Sequence, residues 1–256
     1  MLLTILSQLP STSTLGKIVR FPLRLLPKDT AVPIMLGPLK GRKWVVGAHT
    51  HGCWLGIYEL ELQRLIANEV APGSIFYDVG ANVGFYSLLA SRLVGTGTVF
   101  SFEPVPANIA CLERHLNLNQ AHNVRILPVA IGDQPRLAQF HTESTGAMGK
   151  LNSDGDLTVH VLSLDHLLAG GEIPPPHAIK MDIEGAEYLA LQGARDCFQK
   201  HRPKLFLATH DREIHDLCCD LLSSWNYELR PIGRKSDFEH AEVFAVPRDV
   251  RSLRVN

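Results

Sequence analysis

The stretch Ile75-Phe76-Tyr77-Asp78-Val79-Gly80-Ala81-Asn82-Val83-Gly84 decides how this chain folds. An apolar run leads into an acid, two glycines stand four positions apart, and an amphipathic segment from Phe85 to Val94 follows. That order reads as strand, tight Gly-rich turn and helix. Such a turn brings backbone N–H groups and a helix N-terminus to the carboxyl end of a strand, where nucleotide-like ligands bind in open α/β sheets.

The same alternation continues downstream. A strand over Thr98–Phe102 leads to a helix over about 107–119, and a strand from Val124 runs on to about Ile131. Thr158–Leu162 alternates like a strand, and Ser163-Leu164-Asp165 starts a short helix. After the rigid Pro174-Pro175-Pro176 spacer, a strand over Ala178–Met181 reaches Asp182, followed by a helix over about 185–191 with Gly193 as its stop. A strand over Leu205–Ala208 ends at Thr209-His210-Asp211. A helix over about 212–224 follows, and two strands, Tyr227–Pro231 and Ala241–Val246, close the chain as an antiparallel pair. Alternating βα units imply a mostly parallel sheet with helices on both faces, an α/β fold. The Gly-, Ser- and Asn-rich segment 141–156 breaks the rhythm and reads as an excursion or hairpin.

Upstream of the turn, residues 57–69 carry one apolar helical face, and Pro72-Gly73 breaks the chain before the first core strand. Residues 1–56, rich in Pro and Gly, read as an N-terminal arm or cap with a short strand at Trp44-Val45-Val46, so the cofactor domain is expected over 57–256. His49-Thr50-His51 reads as loop rather than as a ligand pair. Leu15 to Lys28 mixes basic and apolar residues, but Pro22 and Pro27 favour ordinary packing over a membrane-surface helix.

Composition narrows the function. A net charge of −1 over 256 residues gives no basic footprint for nucleic acid. Five cysteines, an odd number without CxxC spacing, suggest neither a disulfide framework nor a zinc site, and favour the reduced cytoplasm. No integral membrane segment is expected. The apolar run Met1 to Leu6 is too short for a signal-peptide core, with Gln8 and Pro10 close behind.

Two ligand classes compete for the turn. A dinucleotide fingerprint G-x-G-x-x-G needs its second glycine for the pyrophosphate. Counting from Gly80, the second and third glycine positions hold Asn82 and Phe85. The D-x-G-x-x-x-G spacing suits a ligand without pyrophosphate, such as S-adenosylmethionine, whose carboxylate can lie near the helix N-terminus. Glu103, at the end of the next strand, can accept hydrogen bonds from ribose hydroxyls. Glu103 alone would also fit NAD, so an NAD-dependent oxidoreductase is the first rival and a non-catalytic module on the same scaffold the second.

With Asp78-Val79-Gly80-Ala81-Asn82-Val83-Gly84-Phe85-Tyr86-Ser87 and Phe102-Glu103-Pro104-Val105-Pro106-Ala107-Asn108, the chain resembles the FkbM family of S-adenosylmethionine-dependent methyltransferases. Gly56-Ile57-Tyr58-Glu59, Leu116 to Asn119 and Leu164-Asp165-His166-Leu167-Leu168 fit the same pattern. The most specific match is Ile179-Lys180-Met181-Asp182-Ile183-Glu184-Gly185-Ala186-Glu187. The resemblance covers about 56–211. It implies a class I methyltransferase fold with a seven-stranded, mostly parallel sheet and one antiparallel strand, acting on a hydroxyl oxygen of a sugar, lipid or natural product.

The residues can be given roles beside that resemblance. Asp78, Gly80, Asn82, Gly84 and Glu103 are expected to form the cofactor site, with Asp133 offering a carboxylate to the adenine amino group. A hydroxyl acceptor is a poor nucleophile without a base or metal. Asp182, beyond a core strand, and His210, beyond the next, are the acceptor-side candidates. Asp182, Glu184, His210 and Asp211 could hold a divalent metal, but nothing in their spacing demands one, and none is expected.

Overall fold

The structure, a computed structural model, describes residues 26–142, 149–151, 157–233 and 241–248. Most of the Leu15–Lys28 stretch and much of the 141–156 segment lie outside the described residues. The chain forms two compact units, Met1–Leu60 and Glu61–Asn256.

In the first unit, β1 (Ala31–Pro33) pairs antiparallel with β2 (Lys43–Val45), and α1 (His51–Leu55) follows. Ile34, Leu39, Trp44, Val46, Cys53 and Trp54 are buried there. The two local histidines serve α1: His51 Nδ1 accepts from Trp54 Nε1 at 3.2 Å, and His49 Nδ1 lies 3.6 Å from Cys53 Sγ. Helix α2 (Leu60–Glu69) spans the unit boundary.

The second unit is built on a seven-stranded sheet of order β12-β13-β11-β10-β3-β4-β5. Its strands are β3 (Ile75–Val79), β4 (Thr98–Phe102), β5 (Val124–Leu127), β10 (Ala178–Met181), β11 (Lys204–Thr209), β12 (Tyr227–Pro231) and β13 (Ala241–Pro247). Strand β13 runs antiparallel to both neighbours, and every other pair in the sheet is parallel. The helices are α3 (Phe85–Val94), α4 (Pro106–Asn119), α5 (Leu164–Ala169), α6 (Glu187–Gln192), α7 (Arg195–His201) and α8 (Arg212–Ser224).

Strand alternation sorts these helices onto the two faces. Tyr77, Val79, Ile179 and Met181 point into one core with Leu164, Leu191, Phe198 and Leu222, from α5 to α8. Asp78 and Lys180 face the other way, where Asp78 meets Ser87 of α3.

Three local readings differ. The strand expected to run from Val124 to Ile131 stops at Leu127. Ala130–Ile131 is a separate strand, β6, in a four-stranded sheet of order β6-β9-β7-β8, with β7 (Arg136–Thr142), β8 (Gly149–Leu151) and β9 (Leu157–Leu162). Val105, Ala130, Phe140, Val159 and Val161 form a satellite core beneath it. Second, α7 follows the Gly193 stop almost at once. Its N-terminus is capped from a distance, because the Asp165 carboxylate accepts the Asp196 and Cys197 N–H groups, each at 2.8 Å. Third, Glu184 and Gly185 are not helical. They lie at φ 56° and 106°, and α6 begins only at Glu187.

The strand order reverses between β3 and β10, since β4 and β5 build outward on one side and β11 and its successors on the other. In open α/β sheets the ligand crevice lies beyond the carboxyl ends of the strands at such a switch point.

Candidate active site

Gly80 follows β3 and Asp182 follows β10, so the switch point joins the two motifs directly. Gly80 sits at φ 78°, and a Cβ there would lie 1.9 Å from the Asp182 carbonyl oxygen. Gly84, at φ 91°, is closed off by Leu112 Cδ1, 2.2 Å from where its Cβ would stand. The left-handed backbone favours glycine at both positions, and at Gly80 the close approach of the Asp182 backbone excludes a side chain as well.

Asp78, Gly80, Asn82, Gly84 and Glu103 gather round this turn. Asp78 is fully buried. Its Oδ2 accepts from Ser87 Oγ at 2.6 Å, and Ser87 Oγ lies 2.8 Å from Ser101 Oγ. Its Oδ1 makes no hydrogen bond and lies 3.8 Å from Lys180 Nζ. Burial raises the Asp78 pKa, and Lys180 opposes that rise. Asn82 is left-handed at φ 49°, and its N–H donates to Glu103 Oε2 at 2.8 Å. Glu103 Oε1 also accepts from Val105 N–H at 2.9 Å and from Asn108 Nδ2 at 3.3 Å. Burial raises this carboxyl too, against those hydrogen bonds. Glu103 thus ties the end of β4 to the Gly turn. The turn is held from its other side by His115 of α4, whose Nδ1 lies 2.7 Å from the Val83 carbonyl oxygen. Burial lowers His115 to about 4, so a neutral ring donates that bond.

Asp133 lies beyond β6 in the small sheet, not at the end of the third strand of the large one, and its carboxyl pairs with Arg136. That bond lowers the Asp133 pKa.

Asp182 and His210 come together. Oδ1 of Asp182 and Nε2 of His210 are 2.7 Å apart, both side chains partly buried. Lys180 Nζ lies 3.5 Å from Asp182 Oδ2. Burial pushes Asp182 upward, but the Lys180 ammonium and the His210 hydrogen bond outweigh it and hold the carboxyl well below the usual range. The hydrogen bond to Asp182 in turn raises His210. Nδ1 of His210 faces Glu184 Oε2 at 3.7 Å, beyond hydrogen-bond range. The loop that carries Glu184 is clamped by Glu187, a buried carboxylate that accepts from Ile183 N–H at 3.2 Å and from Gly185 N–H at 3.1 and 3.0 Å.

Asp182, Glu184 and His210 bring one ligand atom each within 4.8 Å of one another, a donor set able to take a divalent cation. The Lys180 ammonium already supplies positive charge at Asp182. Lys180 and Ser87 were not named as site residues from the sequence. The signal for Lys180 was its place between Ile179 and Met181 on a strand, which turns it to the face opposite that apolar pair.

The donors fit S-adenosylmethionine: a glycine turn with no room for side chains, an acid at the end of β4, and an orphaned buried oxygen on Asp78. Comparisons agree in kind. A model of the methyltransferase FkbM domain matches residues 78–229, more than half of the chain. The hexuronic acid methyltransferase AglP of Haloferax volcanii is 29% identical over 145 residues, covering 55% of this chain and 58% of that protein. The 2-O-methyltransferase NoeI of Sinorhizobium fredii is 24% identical over 166 residues, covering 57% and 67%. The chain thus spans about three fifths to two thirds of these relatives. Among solved structures, the methyltransferase FkbM of Methylobacillus flagellatus superposes with a TM-score of 0.52 at 19% identity, covering 78% of this chain and 57% of that one. At that identity the likeness concerns the fold, a class I methyltransferase sheet. This chain belongs to the FkbM methyltransferase family.

Proposed function

We propose that this chain transfers a methyl group from S-adenosylmethionine to a hydroxyl oxygen of a sugar, with Asp182 and His210 deprotonating the acceptor. The observation that carries the reading is the Asp182–His210 pair, 2.7 Å apart, set at the switch point against the glycine turn. The names of the relatives, a hexuronic acid methyltransferase and a 2-O-methyltransferase, support a sugar hydroxyl as the acceptor class.

Gly80, Asn82 and Gly84 would hold the cofactor along the turn, Glu103 would face its ribose, and Asp78 would support the turn from beneath. Glu103 already accepts three hydrogen bonds from the protein, so about one of its roughly four acceptor positions is left for a hydroxyl. Bound there, S-adenosylmethionine supplies an electrophilic methyl group on a sulfonium.

Everything else falls to the chain. Asp182, kept ionised by Lys180, accepts from Nε2–H of His210 and fixes its tautomer. Nδ1 then carries the lone pair that takes the acceptor's proton, and the resulting imidazolium lies between Asp182 and Glu184. Positive charge at Asp182 comes from Lys180 in this reading, and no metal is assigned. Asp133, paired with Arg136, remains an adenine candidate only if that pair opens. With a net charge of −1 and five cysteines outside any disulfide, the reading places the protein in the cytoplasm, acting on no nucleic acid.

The test is incubation with methyl-tritiated S-adenosylmethionine and a panel of hexuronic acid and neutral hexose glycosides. An O-methylated sugar, identified by mass spectrometry and lost in His210→Ala, is expected. Label appearing only on nitrogen or carbon acceptors would refute the oxygen assignment.

A further inference from the structure

Lys180 is buried in the middle of the sheet, where lysine is rarely found without a partner. Its place follows from β10. Ile179 and Met181 enter the core below, so Lys180 projects from the opposite face, and the β3–β10 register sets it directly beside Asp78. The ammonium donates to the Gly80 carbonyl at 3.3 Å. It also lies 3.8 Å from Asp78 Oδ1, 3.5 Å from Asp182 Oδ2 and 5.2 Å over the Tyr86 ring. An ammonium has three donors and no acceptor. Here they face a backbone carbonyl of the turn, the acid beneath it and the acid of the acceptor side.

We infer that Lys180 is a positioning residue that couples the cofactor turn to the Asp182–His210 dyad, its single ammonium fixing the Gly80 carbonyl on one side and the Asp182 carboxylate on the other. The meaning of the turn rests on the proposed function; the link to the dyad does not. An apolar side chain here would leave Asp78 and Asp182 facing each other in a buried site with no cation between them, and Asp182 would then answer to His210 alone. Arginine keeps the charge, but its planar guanidinium is too broad to reproduce the contact with Gly80.

Two readouts test this on the full chain: the His210 ring titration by 15N NMR without ligand, and the affinity for S-adenosylhomocysteine by calorimetry. The charged and titratable groups that set the first are Asp182, Glu184 and Glu187, with Lys180 beyond Asp182 and Asp78 and Tyr86 beyond Lys180. In Lys180→Met the His210 midpoint should rise by about half a pH unit or more, because the Asp182 charge is no longer shared with Lys180. Affinity should fall about tenfold, the loss of one charge-assisted hydrogen bond at the turn. Lys180→Arg should restore the midpoint and leave affinity reduced. If Lys180→Met does not fold, Asp78→Asn/Lys180→Met removes both charges of the buried pair and should show the same rise. An unmoved midpoint, or unmoved affinity, in the variant that folds overturns the coupling. A wild-type chain that takes up no S-adenosylhomocysteine refutes the proposed function itself, before any variant is compared.

Discussion

Asp182 and His210 each set the other's protonation. Because the Asp182 hydrogen bond raises His210, the basic form of the ring appears only above its ordinary midpoint, and kcat/KM should rise with pH through that raised value. Asp182→Asn removes the negative charge that raises His210. The rising limb should then move to lower pH and the plateau drop by about 10²–10⁴-fold while the fold persists, as a pH–rate profile and circular dichroism would report. An unshifted limb would exclude His210 as the base. His115 acts on stability with the opposite sense. Its folded midpoint, about 4, lies below the ordinary 6.5, so the unfolded chain takes up a proton as pH falls between those values and the folded one does not. That group should therefore cost on the order of 3 kcal/mol of stability between neutral pH and pH 4. Urea unfolding against pH should show this loss in the wild type and a shallower one in His115→Gln. At this scale the sequence exposed Asp78, Glu103, Asp182 and His210, because each stands at the end of an apolar run. It hid what Glu103 does within the protein: its three hydrogen bonds come from Asn82, Val105 and Asn108. Glu103→Ala should accordingly weaken S-adenosylhomocysteine binding about 10- to 100-fold and also lower the melting temperature, since both the ligand and the turn lose an acceptor.

Among the elements, the strand–turn–helix at Ile75–Val94 decides most. Gly80→Ala combines a left-handed φ with a Cβ driven against the Asp182 carbonyl, so it should cost at least ~2 kcal/mol and abolish cofactor binding. Equilibrium unfolding with calorimetry would show whether both losses occur together; wild-type behaviour would mean that the turn is not as tight as described. The large sheet was legible because its strands are apolar runs bounded by Gly, Pro or acids. Helix α7 was not, because its cap comes from Asp165, a partner that no local window contains. That contact also gives the Leu164-Asp165-His166 motif a physical purpose. The small sheet was misread at Ala130–Ile131 because a short apolar run carries no mark of which sheet it joins.

On the scale of the whole molecule, the turn, the dyad and Lys180 all lie within Glu61–Asn256. That unit has its own sheet and core. A fragment starting at about Glu61 should therefore unfold cooperatively and still bind S-adenosylhomocysteine; loss of binding would assign the first unit a part in the cofactor site. No described helix is long and apolar enough to cross a membrane. The switch point between β3 and β10 follows from strand order, which the sequence implied only through its alternation and family resemblance. The acceptor itself was illegible, because no motif in the sequence carries a code for it. The account stands or falls on what the turn holds, and calorimetry of the wild-type chain against S-adenosylhomocysteine and NAD measures that directly. Saturable single-site uptake of S-adenosylhomocysteine with no heat from NAD is the predicted result; uptake of NAD with none of S-adenosylhomocysteine would contradict it.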